Sequence, residues 1–404
     1  VLPIVGKVKV SLTTKEELLQ VWLDARKTTG LEINENERVE TVTPVGDSFL
    51  VKTAKGEYRA RTVLLSVGRR GTPRKLGVKG EDQSKVVYRL IDPEQYNGQK
   101  VVVVGGGAGG LELVTQLGDK LGKTGRAEVT LIERGRTHFW KPHLHELAAG
   151  TVDLDVHELD YLAQSHWHGF KYRFGEMIGL DRAARQVLVG PVYDESGEKI
   201  VPARRFEYDI LVLAVGSRIN DFGTPGVAEH AIALESTQEA DRFHRRLINA
   251  FLRAHAQHEP LRPEQLNVAI VGAGATGVEL AAELHNATRE LVSFSLDNID
   301  PDKHIRLHLI EASPRILPAL PVRVSDAALR MLHELDVEVH VNARVAEVLP
   351  RAVRLADGTV IAAEMVVWAA GVKAPPFLAE LGLQTNALNQ VLVDECLRSV
   401  SDPA

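Results

Sequence analysis

Two glycine-rich stretches carry the residue types and spacing from which chemistry can be read. VVVVGGGAGG places Gly105, Gly107 and Gly110 directly after a run of valines, and NVAIVGAGATGVEL places Gly272, Gly274 and Gly277 on the same plan. In a strand, turn and helix unit the first glycine permits a tight turn, the second lets backbone approach a pyrophosphate, and the third lets the helix pack against the strand. The helix that follows presents unpaired N–H groups and the positive end of its dipole to phosphates. Each unit then closes on an acid: AEVTLIE ends at Glu133, 23 residues after Gly110, and IRLHLIE ends at Glu311, 34 residues after Gly277. A carboxylate at such a strand end can accept hydrogen bonds from adenosine ribose hydroxyls. The longer second spacing is assigned to a polar insertion after the helix, LVSFSLDNIDPDKH.

Two dinucleotide sites in one chain imply transfer between their occupants. A flavin and a nicotinamide are the common pair, because hydride passes directly between stacked rings and the protein need only orient them and exclude water. No nucleophile or general base is obligatory for that half-reaction, and no triad-like motif is present. Glu311 should bind the 2′-hydroxyl of NADH and repel the 2′-phosphate of NADPH. Arg315, close by in sequence, leaves the opposite preference open, since a guanidinium can pair with a phosphate.

Composition narrows the chemistry further. Cys396 is the single cysteine of the 404 residues, so no intramolecular disulfide and no dithiol beside a flavin exist, and the usage fits a cytoplasmic redox setting. A formal net charge of −6 with no long Lys/Arg cluster argues against nucleic acid. No apolar run reaches the roughly 18 residues of a membrane span. His143 and His145, and likewise His166 and His168, could point to one side of a strand, but no third ligand follows at a recognisable spacing, so no metal is expected. RFHRRLINAFLRAHAQH reads as a basic amphipathic helix, more in keeping with a solvated Arg face than with an anionic membrane surface.

The elements that must position these residues recur. A helix, strands with a hairpin, and a continuously apolar strand ending in a small-residue turn appear three times, ending at Gly68, Gly216 and Gly371; such last strands are buried on both faces. A glycine fingerprint opens only two of the three units. The fold is therefore expected to be α/β, with two Rossmann-like dinucleotide-binding domains and an additional N-terminal α/β fragment. The expected boundaries are an orphan flavoprotein-like segment over 1–99, a first part of one nucleotide domain over 100–222, a second nucleotide domain over 223–374, and a return to the first over 375–404. The opening Val and the close at Ser401-Asp402-Pro403-Ala404 read as cut ends.

From about Lys100 onward the chain resembles the type II, non-proton-pumping NADH:quinone oxidoreductases, nearly colinearly over some three quarters of its length. The residues that carry the likeness are Thr137-His138-Phe139-Trp140-Lys141-Pro142 with HLHELAAG after it, AVGSR, GAGATGVEL, EASPRILP and VVWAAGVKAP. TVLLSVGRRGTPRKLGVKGED, before the first fingerprint, resembles the flavin-domain exit of thioredoxin-reductase-like flavoproteins. The main resemblance implies FAD on the first fingerprint with Glu133, with Lys141 and Pro142 along the flavin, and NADH on the second fingerprint with Glu311. Ala214 and Gly216 in the first exit, and Ala370 and Gly371 in the second, join the cofactor-binding set. Glu279 takes the place of a family carboxylate near the nicotinamide and the quinone side of the flavin; it reads equally as a helix N-terminal Glu stabilised by the dipole.

The resemblance further implies quinone as electron acceptor and, in longer family members, peripheral attachment to the cytoplasmic face of a membrane through segments beyond the equivalent of Ala404. A homodimer is compatible with it. Two other readings stay open: a nucleotide-binding protein without turnover, and a thioredoxin-reductase-like flavoprotein in which Gly105 to Gly110 hold a nicotinamide nucleotide.

Overall fold

The computed structural model describes Gln20, Leu23 and residues 26–30, 33–46, 48–63, 93–294 and 296–402. The chain forms two compact units, Val1–Lys75 and Leu76–Ala404.

In the first unit Val39–Val45, Ser48–Thr53 and Glu57–Ala60 form an antiparallel meander. Gly46, at φ 58°, makes the first tight reversal, a conformation that costs glycine nothing. At the second turn Thr53 Oγ1 donates to Glu37 at 2.5 Å and accepts from the Gly56 N–H at 3.0 Å. Of the apolar strand expected to end at Gly68, Thr62 and Val63 are described and carry no strand; Leu64 onward and the RRGTPRKLGVKGED stretch lie outside the described residues. The last part of the expected 1–99 segment belongs with the second unit: the 3₁₀ turn Pro93–Tyr96 is tied there by a 2.7 Å pair between Glu94 and Arg126.

The second unit holds two parallel sheets. The first has the order Ile210–Leu213, Lys100–Val104, Glu128–Glu133, Lys171–Phe174; the second has the order Ala231–Ala233, Met365–Trp368, Val268–Val271, Leu307–Ile310, Val337–His340. Val101–Val104 and Val268–Val271 are buried throughout, as strands covered on both faces must be. Each sheet carries a three-stranded antiparallel layer just before its last strand in chain order: Met177–Asp181, Gln186–Val189 and Arg204–Glu207 in one, Val345–Leu349, Ala352–Leu355 and Val360–Ala362 in the other. That recurrence is the internal repeat seen in the sequence. After Val372–Lys373, which pairs with Arg218–Ile219, the chain turns back, and Ala374, Leu378 and Leu381 pack against Val102, Val104 and Ile132.

Two expectations need correction. The insertion before Glu311 does not begin where the helix ends, because Ala275–Ser293 runs through its first three residues; a short helix, Pro301–His304, capped by Asp300, forms its end. The histidine pairs do not lie on strands. His143 ends the 3₁₀ turn Lys141–His143, His145 lies in the helix Leu144–Ala149, and His166 and His168 lie in the helix Tyr161–His168, where residues two apart point in different directions.

The basic amphipathic helix forms as Thr237–Ala256, with Ser236 as its cap. Its apolar face, Ala240, Phe243, Leu247, Ala250, Phe251 and Ala254, is buried in the main core. A membrane surface therefore has no apolar face to take up there. Leu144, Leu147, Ala148 and Ala149 enter the same core beside Leu280, Ala281 and Leu284 of the second fingerprint helix. Burying each leucine contributes about 1.5–3 kcal/mol. Gly150, at φ 86°, ends that six-residue helix, and a Cβ on it would collide with the His244 ring.

Candidate functional site

The three glycines of each fingerprint are required for different reasons. Gly105 and Gly272 share φ 104°. A Cβ on Gly105 would strike the Ala214 carbonyl, and one on Gly272 would lie 2.7 Å from Ala370 Cα. A Cβ on Gly110 would collide with the Gly105 carbonyl, and one on Gly277 with that of Gly272. The middle glycines are another matter. Gly107 at φ −62° and Gly274 at φ −72° have backbone any residue adopts, and a Cβ on either meets nothing within 4 Å. The fold itself has no use for glycine at these two positions. Close approach of a ligand to the backbone would give glycine a use there, and a pyrophosphate fits that requirement.

The helices that start there are suited to an anion. Ala108–Leu117 and Ala275–Ser293 have no side-chain cap and no acid in the first turn, unlike Thr237–Ala256 with Ser236 and Glu239. With no cap and no acid of their own in the first turn, the helix starts keep N–H groups that favour phosphate.

The two strand-end acids are held alike. Glu133 Oε2 accepts from the Gly106 N–H at 2.6 Å and Oε1 from the Gly135 N–H at 2.9 Å. Glu311 Oε2 accepts from the Ala273 N–H at 2.9 Å and Oε1 from the Ser313 N–H at 2.8 Å. Each carboxylate thus fixes the fingerprint turn and its own following loop, and keeps a second lone pair on each oxygen for further donors. Arg315 is committed elsewhere: its guanidinium donates to the carbonyls of Leu317, Leu320 and Pro318 at 3.1, 2.9 and 2.6 Å. These three bonds hold the guanidinium against its own loop and occupy three of its five donors.

Beside the first fingerprint a cleft is lined by Gly105, Glu133, Lys141, Val215, Arg218, Glu235, Glu239 and Phe377, among others. Lys141 enters it from the 3₁₀ turn, whereas Pro142 faces solvent. Ala214 and Gly216 form the exit after Ile210–Leu213, and Gly216 is left-handed at φ 73°. Ala370 and Gly371 form the matching exit in the other sheet; Gly371, at φ 63°, lies against Phe222, whose ring would meet any Cβ there.

Glu235, Glu239, Phe377 and Tyr161 were not singled out by motif. Glu235 accepts from the Ile219 N–H. Glu239 accepts from the Glu235 N–H at 3.2 Å, its own N–H donates to Ser236 Oγ at 3.3 Å, and burial pushes its carboxyl above the ordinary carboxylate range. Ser236 and Glu239 have the spacing of a capping box, which is the signal that reveals them. Tyr161 donates to the Gly106 carbonyl at 2.5 Å, and His138 Nδ1 lies 2.9 Å from the same oxygen; the sequence carries no mark of that contact.

Glu279 lies past the first turn of Ala275–Ser293, so the reading as a dipole-stabilised N-terminal acid does not apply. It is half exposed, and its Oε2 lies 3.6 Å from Nδ1 of the mostly buried His145. His145 Nε2 is 3.8 Å from Glu146, which in turn sits 2.8 Å from His143 Nδ1. The helix Leu144–Ala149 is what brings a residue of the first sheet's side to the second fingerprint helix.

Residues 99–404 match the pyridine nucleotide-disulphide oxidoreductase family, and residues 5–148 match a second family model of the same description. The type II NADH:quinone oxidoreductase of Haemophilus influenzae is 41% identical over 317 residues, which are 75% of this chain and 71% of that protein. Type II NADH:quinone oxidoreductase NdhA of Mycobacterium tuberculosis is 29% identical over 292 residues, 70% of this chain and 59% of that protein. Among solved structures, NDH2 from Plasmodium falciparum in complex with NADH superposes with a TM-score of 0.65 at 22% identity, covering 76% of this chain and 62% of that one. Fold, fingerprints and the Haemophilus relative agree: the chain belongs to the pyridine nucleotide-disulphide oxidoreductases and, within them, to the type II NADH:quinone oxidoreductases.

Proposed function

We propose that this chain binds FAD at Gly105, Gly107, Gly110 and Glu133 and NADH at Gly272, Gly274, Gly277 and Glu311, and acts as a non-electrogenic NADH dehydrogenase with a quinone as acceptor. The observation that carries this reading is the pair of middle glycines, each open above its Cα where the packing asks for no glycine. When bound, FAD supplies the two-electron acceptor for hydride from NADH and the donor to the quinone. The balanced reaction is NADH, one proton and quinone to NAD⁺ and quinol.

The residues of the chain bind, orient and handle the proton. Uncapped helix starts take the pyrophosphates, and Glu133 and Glu311 present their remaining lone pairs to the ribose hydroxyls. Lys141 lines the cleft beside Gly105 and Glu133, where its ammonium offers three donors to a flavin. Glu279, with His145 at 3.6 Å, is positioned to hold or pass a proton at its carboxylate on the side of the second fingerprint.

The test is an anaerobic addition of NADH or NADPH to the purified chain loaded with FAD, watched at the flavin band. Bleaching by NADH and its return on adding a soluble quinone supports the reading. A flavin that stays oxidised, or a protein that retains no FAD, refutes it and leaves a nucleotide-binding protein without turnover.

A further inference from the structure

We propose that His308, Glu338 and His340 form a binding site for a divalent transition-metal ion of the zinc class, outside both nucleotide sites. The site is built by strand register. Leu307–Ile310 and Val337–His340 run parallel as neighbours, with His308 paired to Glu338 and Ile310 to His340. Leu307, Leu309 and Val337 point into the main core, so the alternation puts His308, Glu338 and His340 together on the opposite face.

The geometry is that of a ligand set. His308 Nδ1 lies 3.3 Å from His340 Nε2 and 3.3 Å from Glu338 Oε2, and the three ligand atoms all fall within 4.8 Å of one another. Zn–N and Zn–O bonds of about 2.0–2.1 Å at tetrahedral angles place neighbouring ligand atoms roughly 3.4 Å apart. A hydrogen bond alone accounts for the cluster less well, since one imidazole proton on Nδ1 serves one acceptor fully and here two converge on it. Glu338 turns its other oxygen toward Arg306, at 3.9 Å, which leaves Oε2 for the metal.

The chemistry of the donors selects the ion. Two imidazoles and one carboxylate suit Zn²⁺, Co²⁺, Ni²⁺ or Cu²⁺, whereas Mg²⁺ and Ca²⁺ need oxygen ligands. His308 is 8% exposed, so the fold shields the cluster on that side. Three protein ligands leave the fourth position to water. The ion would clamp the two strands beside the second nucleotide acid, because the Glu311 N–H donates to the His340 carbonyl at 2.8 Å.

The experiment is a titration of the full chain, stripped with chelator, with Zn²⁺ alone, on wild type, Glu338→Gln and His340→Asn. One equivalent should bind per chain, and each variant should weaken it by more than about 10-fold, since even outer partners of a metal ligand cost that much. Co²⁺ in place of Zn²⁺ should give the intense visible absorption of a four-coordinate ion, lost in His340→Asn, and Mg²⁺ should not displace it. Near-ultraviolet circular dichroism checks that both variants fold; each replaced residue reaches solvent and keeps a polar side chain. Zinc binding unchanged in the two folded variants, or no stoichiometric binding at all, overturns the proposal.

Discussion

Glu133 and Gly106 are joined by a 2.6 Å hydrogen bond from backbone N–H to carboxylate, and Glu311 and Ala273 repeat it at 2.9 Å in the other sheet. The acid at the end of the second strand is therefore a brace for the glycine turn as well as a candidate ribose ligand. Glu311→Ala should remove both. A lost hydrogen bond to a charged group of about 1.5–3 kcal/mol corresponds to an NADH KM higher by roughly 10- to 100-fold. Glu133→Ala should leave NADH binding alone and strip FAD from the purified protein. Steady-state kinetics and the flavin absorbance read the two effects separately; equal effects of both variants on NADH would contradict the assignment of sites.

Gly107→Ala and Gly274→Ala separate folding from binding. Neither added methyl meets an atom of the chain, so thermal stability should fall by no more than about 1 kcal/mol, the usual cost at a helix cap. Nucleotide affinity should drop sharply at the fingerprint that carries the substitution. Gly105→Ala and Gly110→Ala, whose methyls strike backbone, should instead lower the melting temperature of the protein without ligand. Calorimetry with and without nucleotide makes the comparison.

Tyr161→Phe removes a buried hydroxyl that donates to the Gly106 carbonyl, leaving His138 as that oxygen's partner. The expected cost is about 1 kcal/mol. Burial holds the phenol well above the ordinary tyrosine range, so the difference between wild type and variant should stay flat from neutral pH up to the ordinary tyrosine range. Denaturant melts across that interval test this.

Glu239 is the group whose titration should show in stability. Its carboxyl is raised by burial, with Glu235 adding to the rise and the Glu235 N–H and Ser236 opposing it. A raised carboxyl binds its proton more readily in the folded state. Its contribution is complete below the unfolded value, near the ordinary glutamate pKa, and is lost as pH rises through the folded one. Glu239→Gln should therefore be more stable than wild type at neutral pH and lose that advantage in acid. An unchanged gap across the range would show that the side chain's hydrogen bonds, and not its charge, set the difference.

The sequence disclosed what repeats locally. The fingerprints, the buried valine strands and the acids at Glu133 and Glu311 are contiguous patterns whose physics is short-range, and all of them take the expected positions on their elements. What it withheld depends on contacts far apart in the chain. His308 and His340 are brought together only by the register of two parallel strands, so no spacing rule finds them. Glu279 and His145 meet because a six-residue helix packs against the second fingerprint helix, and the same packing buries the face of Thr237–Ala256 that had suggested a membrane surface. Arg315 is drawn to three carbonyls of its own loop, which sequence shows only as a string of apolar residues and prolines.

The helix Leu144–Ala149 has a mechanical consequence. Its leucines lie in one continuous core with Phe243, Phe251, Leu280 and Leu284, so swinging the second fingerprint away from the Lys141 turn would expose that core to water at a cost of several kcal/mol. The two glycine turns are bolted to one chassis. A frame of this kind resists any change in the spacing of the two turns, as a hinged pair of domains would not.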